Sequence, residues 1–337
     1  MKAGKLPGVV EERSLLMYTE ADKKANMRGM EPAQIVYSAE NNGYRHILAT
    51  DQMGIFGNYQ TKEFCAGALF DRVCTKLAAS GASGEVFSVS LSLPSGFDEG
   101  ELKKLAQIIA QSTRARGITA YSVQAQSRYE SAEKGIVQMT VTGAGIAPAP
   151  PNLKAVQPAG KSIVMAGFAA LEATAVFLSE RREVLLRRLS AGYLAQGFEK
   201  MKKTDIQEAA RIAFCEGLVK TAGGGGVFAA LWELGESLDC GMDLNLYDIL
   251  LHQETIEVCE LLDISPYMLA SGGCLFAVTE DADALLSAYE KAGIPAAKIG
   301  VLKEGRDRVL HNGEEERFLE PFRAEEMYQV LERDLWN

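Results

Sequence analysis

Apolar and polar residues alternate in several short stretches of the first half of the chain, and longer stretches between them repeat an apolar residue every three or four positions. Alternation is typical of half-buried strands, whereas the longer repeat is typical of amphipathic helices. The pattern predicts strands at 34–38, 45–50, 85–93, 118–125 and 135–145, and helices at 62–80 and 97–115. Their order, ββαβαββ, predicts one α/β domain.

The segment 147–154, with the sequence APAPPNLK, interrupts this pattern. Its closely spaced prolines can continue neither a helix nor a central strand, so we place the domain boundary there and divide the chain into 1–150 and 151–337. Beyond it the pattern predicts strands at 161–167, 274–279, 296–302 and 306–311, and helices at 169–190, 205–218, 227–238, 250–262 and 281–292. We therefore expect a second α/β domain.

The chain has 337 residues, of which 47% are hydrophobic, and a formal net charge of −10. This length suits two domains, and the negative charge argues against nucleic acid or an anionic membrane as a partner. No stretch approaches the roughly 20 apolar residues that span a bilayer, and the N-terminal residues do not resemble a signal peptide, so we expect a cytoplasmic protein. The cysteines and histidines have no metal-ligand spacing, so we expect mostly buried, reduced thiols and assign no catalytic residue.

Four consecutive glycines, Gly223, Gly224, Gly225 and Gly226, precede a predicted helix. Glycines let backbone N–H groups approach a ligand, and a helix N-terminus favours an anion, so this turn is a candidate anion site. Lys220 lies just upstream and is a further candidate for holding the anion. The alternative is a flexible turn that binds nothing. The run is not a Walker-type nucleotide loop, because no Gly-Lys-Ser/Thr closes it.

The order and spacing of six further segments resemble those of a known protein family. They are Leu77–Ala82 (LAASGA), Gly225–Glu233 (GGVFAALWE), Gln253–Glu260 (QETIEVCE), Ser265–Leu269 (SPYML), Ser271–Cys274 (SGGC) and Arg317–Pro321 (RFLEP). Together they resemble the aminoimidazole-ribonucleotide-synthetase (PurM-like) superfamily, on its hydrogenase-maturation branch. The resemblance implies a two-domain α/β (α+β) fold. Its N-terminal domain would form a shared barrel with its twin in a homodimer, and its C-terminal domain would be α/β.

The resemblance also implies a chemistry, in which ATP is bound with a divalent metal ion and an oxygen of the substrate is phosphorylated or activated. Carboxylates are needed for this reaction, because the metal ions that they hold neutralise the triphosphate. The acidic motifs of the family fall here on Gln34, Thr50-Asp51, Thr75-Lys76, Gln124 and Thr221. Only Asp51 is acidic, which makes it the candidate metal ligand. An ordinary polar residue at a strand end is the simpler interpretation of Asp51.

Lys76 stands where the family has an acid, so it could hold a phosphate directly, without a metal ion. The alternative is a solvated lysine on the exposed face of the 62–80 helix. The acidic clusters Glu314–Glu316 and Glu325–Glu326 are expected to be solvated. The hydrogenase-maturation enzymes end in a tail whose terminal cysteine carries the modified group. No cysteine follows Cys274, so we expect no carrier chemistry of that kind.

These observations predict a homodimeric superfamily member that has lost the metal–ATP reaction and needs no cofactor. It would bind a small anionic ligand or a protein partner. The alternative is an active enzyme that uses ATP and Mg²⁺, either a maturation factor or a small-molecule kinase, with metal ligands at other positions.

Overall fold

The computed structural model describes residues 35–41, 43–128, 135–148 and 159–333. It contains two β-sheets, one built from strands before residue 150 and the other from strands after residue 160. The predicted α/β class of both halves is confirmed. The boundary predicted between residues 150 and 151 lies outside the described residues, as does Gln34, and both stay predictions. None of the described helices is long and apolar enough to cross a lipid bilayer.

The first sheet has five strands in the order β1-β2-β5-β3-β4. They are β1 (Ile35–Asn41), β2 (Tyr44–Ile55), β3 (Ser83–Leu93), β4 (Tyr121–Ser127) and β5 (Val137–Pro148). Only β3 and β4 run parallel; the other neighbours are antiparallel. Two helices, α1 (Tyr59–Ala79) and α2 (Glu99–Ala115), cover one face of the sheet. The predicted order ββαβαββ is confirmed.

Helix α1 lies at the centre of the molecule. It begins after Asn58, whose side chain accepts a hydrogen bond from the Thr61 amide, and every residue from Phe64 to Ala79 is buried. A helix that is buried all round packs on several sides, and α1 contacts both the first sheet and the second half of the chain. The charged residues of this buried part, Asp71, Arg72 and Lys76, are therefore withdrawn from water.

The second sheet has seven strands in the order β12-β11-β8-β10-β6-β9-β7. They are β6 (Ser162–Gly167), β7 (Leu218–Thr221), β8 (Gly241–Asn245), β9 (Cys274–Thr279), β10 (Ala296–Lys303), β11 (Arg308–Asn312) and β12 (Glu315–Phe318). The helices of this half are α3 (Leu171–Glu180), α4 (Arg182–Leu185), α5 (Ala191–Met201), α6 (Gln207–Glu216), α7 (Gly226–Leu238), α8 (Gln253–Leu262), α9 (Ala282–Lys291) and α10 (Glu326–Arg333).

The second half differs from the sequence prediction in two ways. The helical segments predicted at 169–190 are confirmed only for 171–185 and form two helices, because Arg181 leaves the helical conformation with φ −111° and ψ 17° and separates α3 from α4. The short strands β7, β8 and β12 and the helices α5 and α10 were not expected. Short strands show too little alternation to be detected, and their conformation comes from pairing with a neighbour.

The largest hydrophobic core joins the two halves. It combines residues of the first sheet, α1 and α2 with residues of α3, α5, α8 and α10. A second core lies between the second sheet and α7, and a third contains α6, α9 and the end of α1. The position of the second half relative to α1 is thus fixed by shared apolar burial, and residues from both halves meet beside α1.

The glycine run forms a tight turn into α7. Gly225 and Gly226 adopt φ values of +83° and +76°, which favour glycine, and both are buried. A methyl group on Gly226 would lie 2.6 Å from the carbonyl oxygens of Tyr267 and Leu269. The second part of the run is therefore required for close backbone packing. These two glycines have this packing role independently of any ligand.

We expect Gly226→Ala to destabilise the protein by about 3 kcal/mol, because it combines a left-handed backbone with overpacking. The matched control is Gly223→Ala. A methyl group there would meet its nearest neighbours only at 3.8 and 4.0 Å, in ordinary contact, and we expect a change within about 1 kcal/mol. Urea unfolding of both variants measures the difference. Equal stabilities would contradict the packing role of Gly226.

Candidate functional site

Asp51 lies in β2, on the face of the sheet that α1 covers. The Lys76 ammonium donates a hydrogen bond to Asp51 Oδ2 at 2.7 Å and another to the Thr50 carbonyl at 3.0 Å. Only 3% of Lys76 is exposed. The interpretation of Lys76 as a solvated lysine is therefore wrong. Asp51 is likewise no isolated polar residue at a strand end, since it is ion-paired within the strand.

Arg72, one helical turn before Lys76, lies between two carboxylates. Its Nε donates to Glu172 Oε1 at 2.7 Å and its Nη2 donates to Glu172 Oε2, while its Nη1 lies 3.5 Å from Asp51 Oδ1. Glu172, in α3, is fully buried and also accepts the Gly272 amide at 2.7 Å. A side chain at Gly272 would collide with this carboxylate. We call Asp51, Arg72, Lys76 and Glu172 the Asp51 cluster.

The positive and negative side chains of the cluster neutralise one another. Burial alone would raise the pKa of Asp51, but Lys76 and Arg72, together with hydrogen bonds from Lys76 and the Gln52 amide, lower it to about 2. Burial opposes the charge on Arg72 as well, and the neighbouring carboxylates Glu172 and Asp51 more than compensate, so its pKa is raised. The two cations and two carboxylates therefore satisfy one another at neutral pH.

The first part of the glycine run lies beside this cluster. A methyl group on Gly223 would be 3.8 Å from Asp51 Oδ2 and 4.0 Å from Arg72. Gly223 and Gly224 are half-buried, and α7, which follows, has no side-chain cap at its N-terminus. The structure thus brings together three of the features singled out in the sequence, namely Asp51, Lys76 and the start of the glycine turn.

Lys220 has a different environment. It is buried in β7, and its ammonium lies 2.7 Å from Glu233 Oε2 of α7. This pair joins the strand before the glycine turn to the helix after it. The candidate anion site consists of Gly223–Gly226, Lys76 and Lys220. Each of its two lysines is therefore already paired with a carboxylate of the protein. Binding of an anion to these two lysines, in competition with those carboxylates, stays a prediction.

The remaining positions of the family's acidic motifs that the structure describes do not assemble a metal site. Gln124 pairs with Ser90 across β3 and β4, on the face of the sheet opposite to the one where Asp51 meets α1. Thr75 and Thr221 are buried and carry no charge. In the part of the chain that the structure describes, no three His, Cys, Asp or Glu side chains converge as metal ligands. Asp51 is already neutralised by two cations, so these residues do not fit a divalent metal with ATP.

Sequence reasoning missed Arg72, Glu172 and Glu325. Glu325 was expected to be solvated, which is wrong, because only 4% of it is exposed. Arg72 could have been found, since it precedes Lys76 by four residues and must share its helix face. Glu172 is 100 residues away from Arg72 along the chain, and no local pattern links the two.

Comparisons with known proteins agree with this fold. The family model of the C-terminal domain of AIR synthase related proteins matches residues 158–312. The second half of the chain therefore resembles the C-terminal domain of AIR synthase related proteins. The carbamoyl dehydratase HypE of Cupriavidus necator is 26% identical over 279 residues, which are 79% of this chain and 76% of that protein.

Two solved structures share the fold of this chain. HypE of E. coli, a hydrogenase maturation protein, superposes with a TM-score of 0.65 and 20% identity, covering 90% of this chain and 98% of the other. A HypE in complex with ATP superposes with a TM-score of 0.64 and 15% identity, covering 84% and 86% of the two chains. The predicted PurM-like, hydrogenase-maturation-like fold is confirmed.

We expect Lys76→Met to destabilise the protein by about 3 kcal/mol, because it leaves the half-buried Asp51 carboxylate with Arg72 as its one remaining cation in the Asp51 cluster, at 3.5 Å. The matched control is Lys103→Met, which removes an exposed ion pair between Lys103 and Glu99 on α2 and should have no measurable effect. Urea unfolding at neutral pH compares the two variants. A stability loss at Lys103 as large as that at Lys76 would contradict the structural role of the Asp51 cluster.

Proposed function

We propose that this cytoplasmic superfamily member has lost the metal-dependent ATP reaction and acts by binding. The observation that carries the proposal is the ion pair between Lys76 and Asp51. A carboxylate that binds Mg²⁺ must be free of competing cations, and here a buried ammonium and a guanidinium already neutralise Asp51. The protein therefore has a built-in cation where its relatives would recruit a metal.

The ligand that suits the remaining geometry is a small anion held without metal. Gly223 and Gly224 are half-buried, Gly223 lies next to Arg72, and both precede a helix whose N-terminus has no side-chain cap. Such a turn offers backbone N–H groups to a phosphate or carboxylate. An anion there would share Arg72 and Lys76 with Asp51 and Glu172, so we expect weak rather than tight binding.

A second mode of binding involves the open face of the first sheet. On this face Leu48, Val86, Ala144 and Ile146 lie side by side on β2, β3 and β5, and Val86 is 54% exposed. The edge strand β4 is exposed along its whole length. Burial of an exposed apolar face and of an unpaired edge strand is favourable, and a second copy of the same sheet can bury both. We propose a homodimer through this face.

The alternative is an active ATP-dependent enzyme of the same superfamily. The observation that favours it is the similarity to a carbamoyl dehydratase HypE along most of both chains. In that case the metal ligands would come from positions other than the family's acidic motifs, and Lys76 would have to leave Asp51 when ATP binds. The two candidates differ in whether magnesium strengthens nucleotide binding.

Calorimetric titration with ATP and Mg²⁺, and separately with inorganic phosphate and a chelator, tests the proposed function. We expect no magnesium-dependent ATP binding at micromolar concentration and no ADP release. With phosphate we expect weak, salt-sensitive binding that Lys76→Ala reduces. ADP release that Asp51→Asn abolishes would establish the alternative. Absence of phosphate binding would leave only the partner-binding mode.

Sedimentation at micromolar concentration tests the homodimer. We expect a dimer in the wild type and a monomer in Val86→Asp, because a buried charge at the centre of the apolar patch opposes association. Glu99→Lys, on the helix-covered side of the domain, serves as the control and should remain dimeric. A monomeric wild type would contradict the proposed interface.

A further inference from the structure

The turn that joins α3 to α5 concentrates positive charge at the surface. Residues 181–189, which include the short helix α4, contain four arginines and no lysine. Arg182, Arg187 and Arg188 are exposed, and 42% of Leu186 between them is exposed. We call these last four residues the arginine patch. It contrasts with the chain as a whole, which has a formal net charge of −10.

Buried leucines and backbone hydrogen bonds hold this turn in place. Leu185 is fully buried in the core that joins the two halves, and Leu189 packs against the same core. The backbone amides of Leu186, Arg187 and Arg188 donate to carbonyl oxygens three or four residues earlier, at 2.9, 3.2 and 3.0 Å. The backbone of the arginine patch is therefore ordered before any partner binds, which lowers the entropic cost of association.

The three arginines of the patch have no carboxylate partner among the residues that the structure describes. Glu183 precedes Arg187 by four residues, a spacing that favours a pair on a helix, and yet these two side chains form no ion pair in the structure. Glu180 instead accepts a hydrogen bond from the Ser179 hydroxyl at 3.3 Å. Three guanidiniums of like charge therefore lie within seven residues of one another, without a neutralising carboxylate from the described ranges.

Exposed cations on other helices have a different environment. Several form ion pairs with a carboxylate three or four residues away, as in Lys103–Glu99, Lys202–Glu199 and Arg211–Glu208. Such pairs are weakly favourable, whereas neighbouring like charges repel one another and are weakly unfavourable. The arginine patch therefore does not stabilise the isolated chain, and carboxylates supplied by a partner would relieve its repulsion.

We propose that the arginine patch docks an acidic segment of a partner protein. A guanidinium binds a carboxylate through two parallel hydrogen bonds, a geometry that lysine does not provide, and arginine is enriched in protein interfaces. Leu186 lies among the three arginines in the sequence and offers an exposed apolar contact beside them. The segment that fits this surface has carboxylates on both sides of an apolar side chain.

The charge of the whole protein favours this partner over other polyanions. A nucleic acid or an anionic bilayer extends beyond the patch, and a net charge of −10 repels it over that larger area. A short acidic segment contacts the patch alone, where the local charge is positive. The patch is also separate from the anion site of the proposed function, because it shares no residue with the Asp51 cluster or the glycine turn.

Fluorescence anisotropy measures the binding of a labelled peptide in which glutamates flank a central phenylalanine. We expect the wild type to bind it, and the affinity to fall as the salt concentration rises, because the contacts are exposed ion pairs. Arg187→Glu combined with Arg188→Glu should weaken binding roughly tenfold, since repulsion replaces attraction at two positions. Leu186→Ser should weaken binding roughly threefold at unchanged net charge, because an apolar contact is lost.

The matched control combines Lys291→Glu with Lys298→Glu. It changes the net charge by the same amount, at two exposed lysines in α9 and β10, beside the third core rather than the core under the patch. We expect the affinity for the peptide to change by less than about twofold. Urea unfolding should give similar stabilities for the wild type and all these variants, because every substituted side chain is exposed.

Absence of peptide binding by the wild type would overturn the proposal. An equal loss in the two double variants would overturn it as well, by showing that only net charge matters. Tighter, patch-dependent binding of a thymidine oligonucleotide or of phosphatidylglycerol vesicles would reject the acidic segment as the partner. Titration of the Arg187→Glu, Arg188→Glu variant with inorganic phosphate and a chelator should match the wild type, so failure of the proposed anion site leaves the arginine patch intact.

Discussion

The burial of α1 on all sides is the constraint on which the rest of the structure depends. A charge removed from water needs a partner and further hydrogen bonds, because desolvation of an isolated ion is far too unfavourable. Asp71 meets Arg116 and the Thr204 hydroxyl, while Arg72 meets Glu172. Each partner comes from another element, so the charges of one helix fix the positions of α2, α3 and the loop before α6.

The same pairing decides what the Asp51 cluster can do. Glu172 enters the first-half core on a helix of the second half, so the ion pair with Arg72 is also a tie between the two halves. Breaking such a pair leaves a buried charge and is strongly unfavourable, typically by 3–5 kcal/mol. A ligand that recruited Arg72 fully would therefore have to replace the Glu172 carboxylate. This requirement favours anions that add to the cluster over anions that displace it.

The fold was largely predictable from the sequence, and the site only in part. The order ββαβαββ follows from alternation and helical repeats, and the positions of Asp51, Lys76 and Gly223 follow from motifs. The environment of Lys76 did not follow, because periodicity gives the apolar face of a helix but cannot show that a second half of the chain covers the other face. Glu325 was misjudged for the same reason. Its burial depends on α10, a short helix that local sequence signals did not indicate.

A lysine ammonium that is part of the chain differs from a bound metal ion in its effect on stability. A metal site leaves like-charged carboxylates facing each other whenever the ion dissociates, so its stability depends on metal concentration. Lys76 cannot dissociate, and the Asp51 cluster is neutral in the absence of any ligand. We therefore expect the protein to reach its folded state without nucleotide or metal. That independence suits a role in binding, and it removes the electrostatic demand for a divalent ion that would otherwise draw ATP to this position.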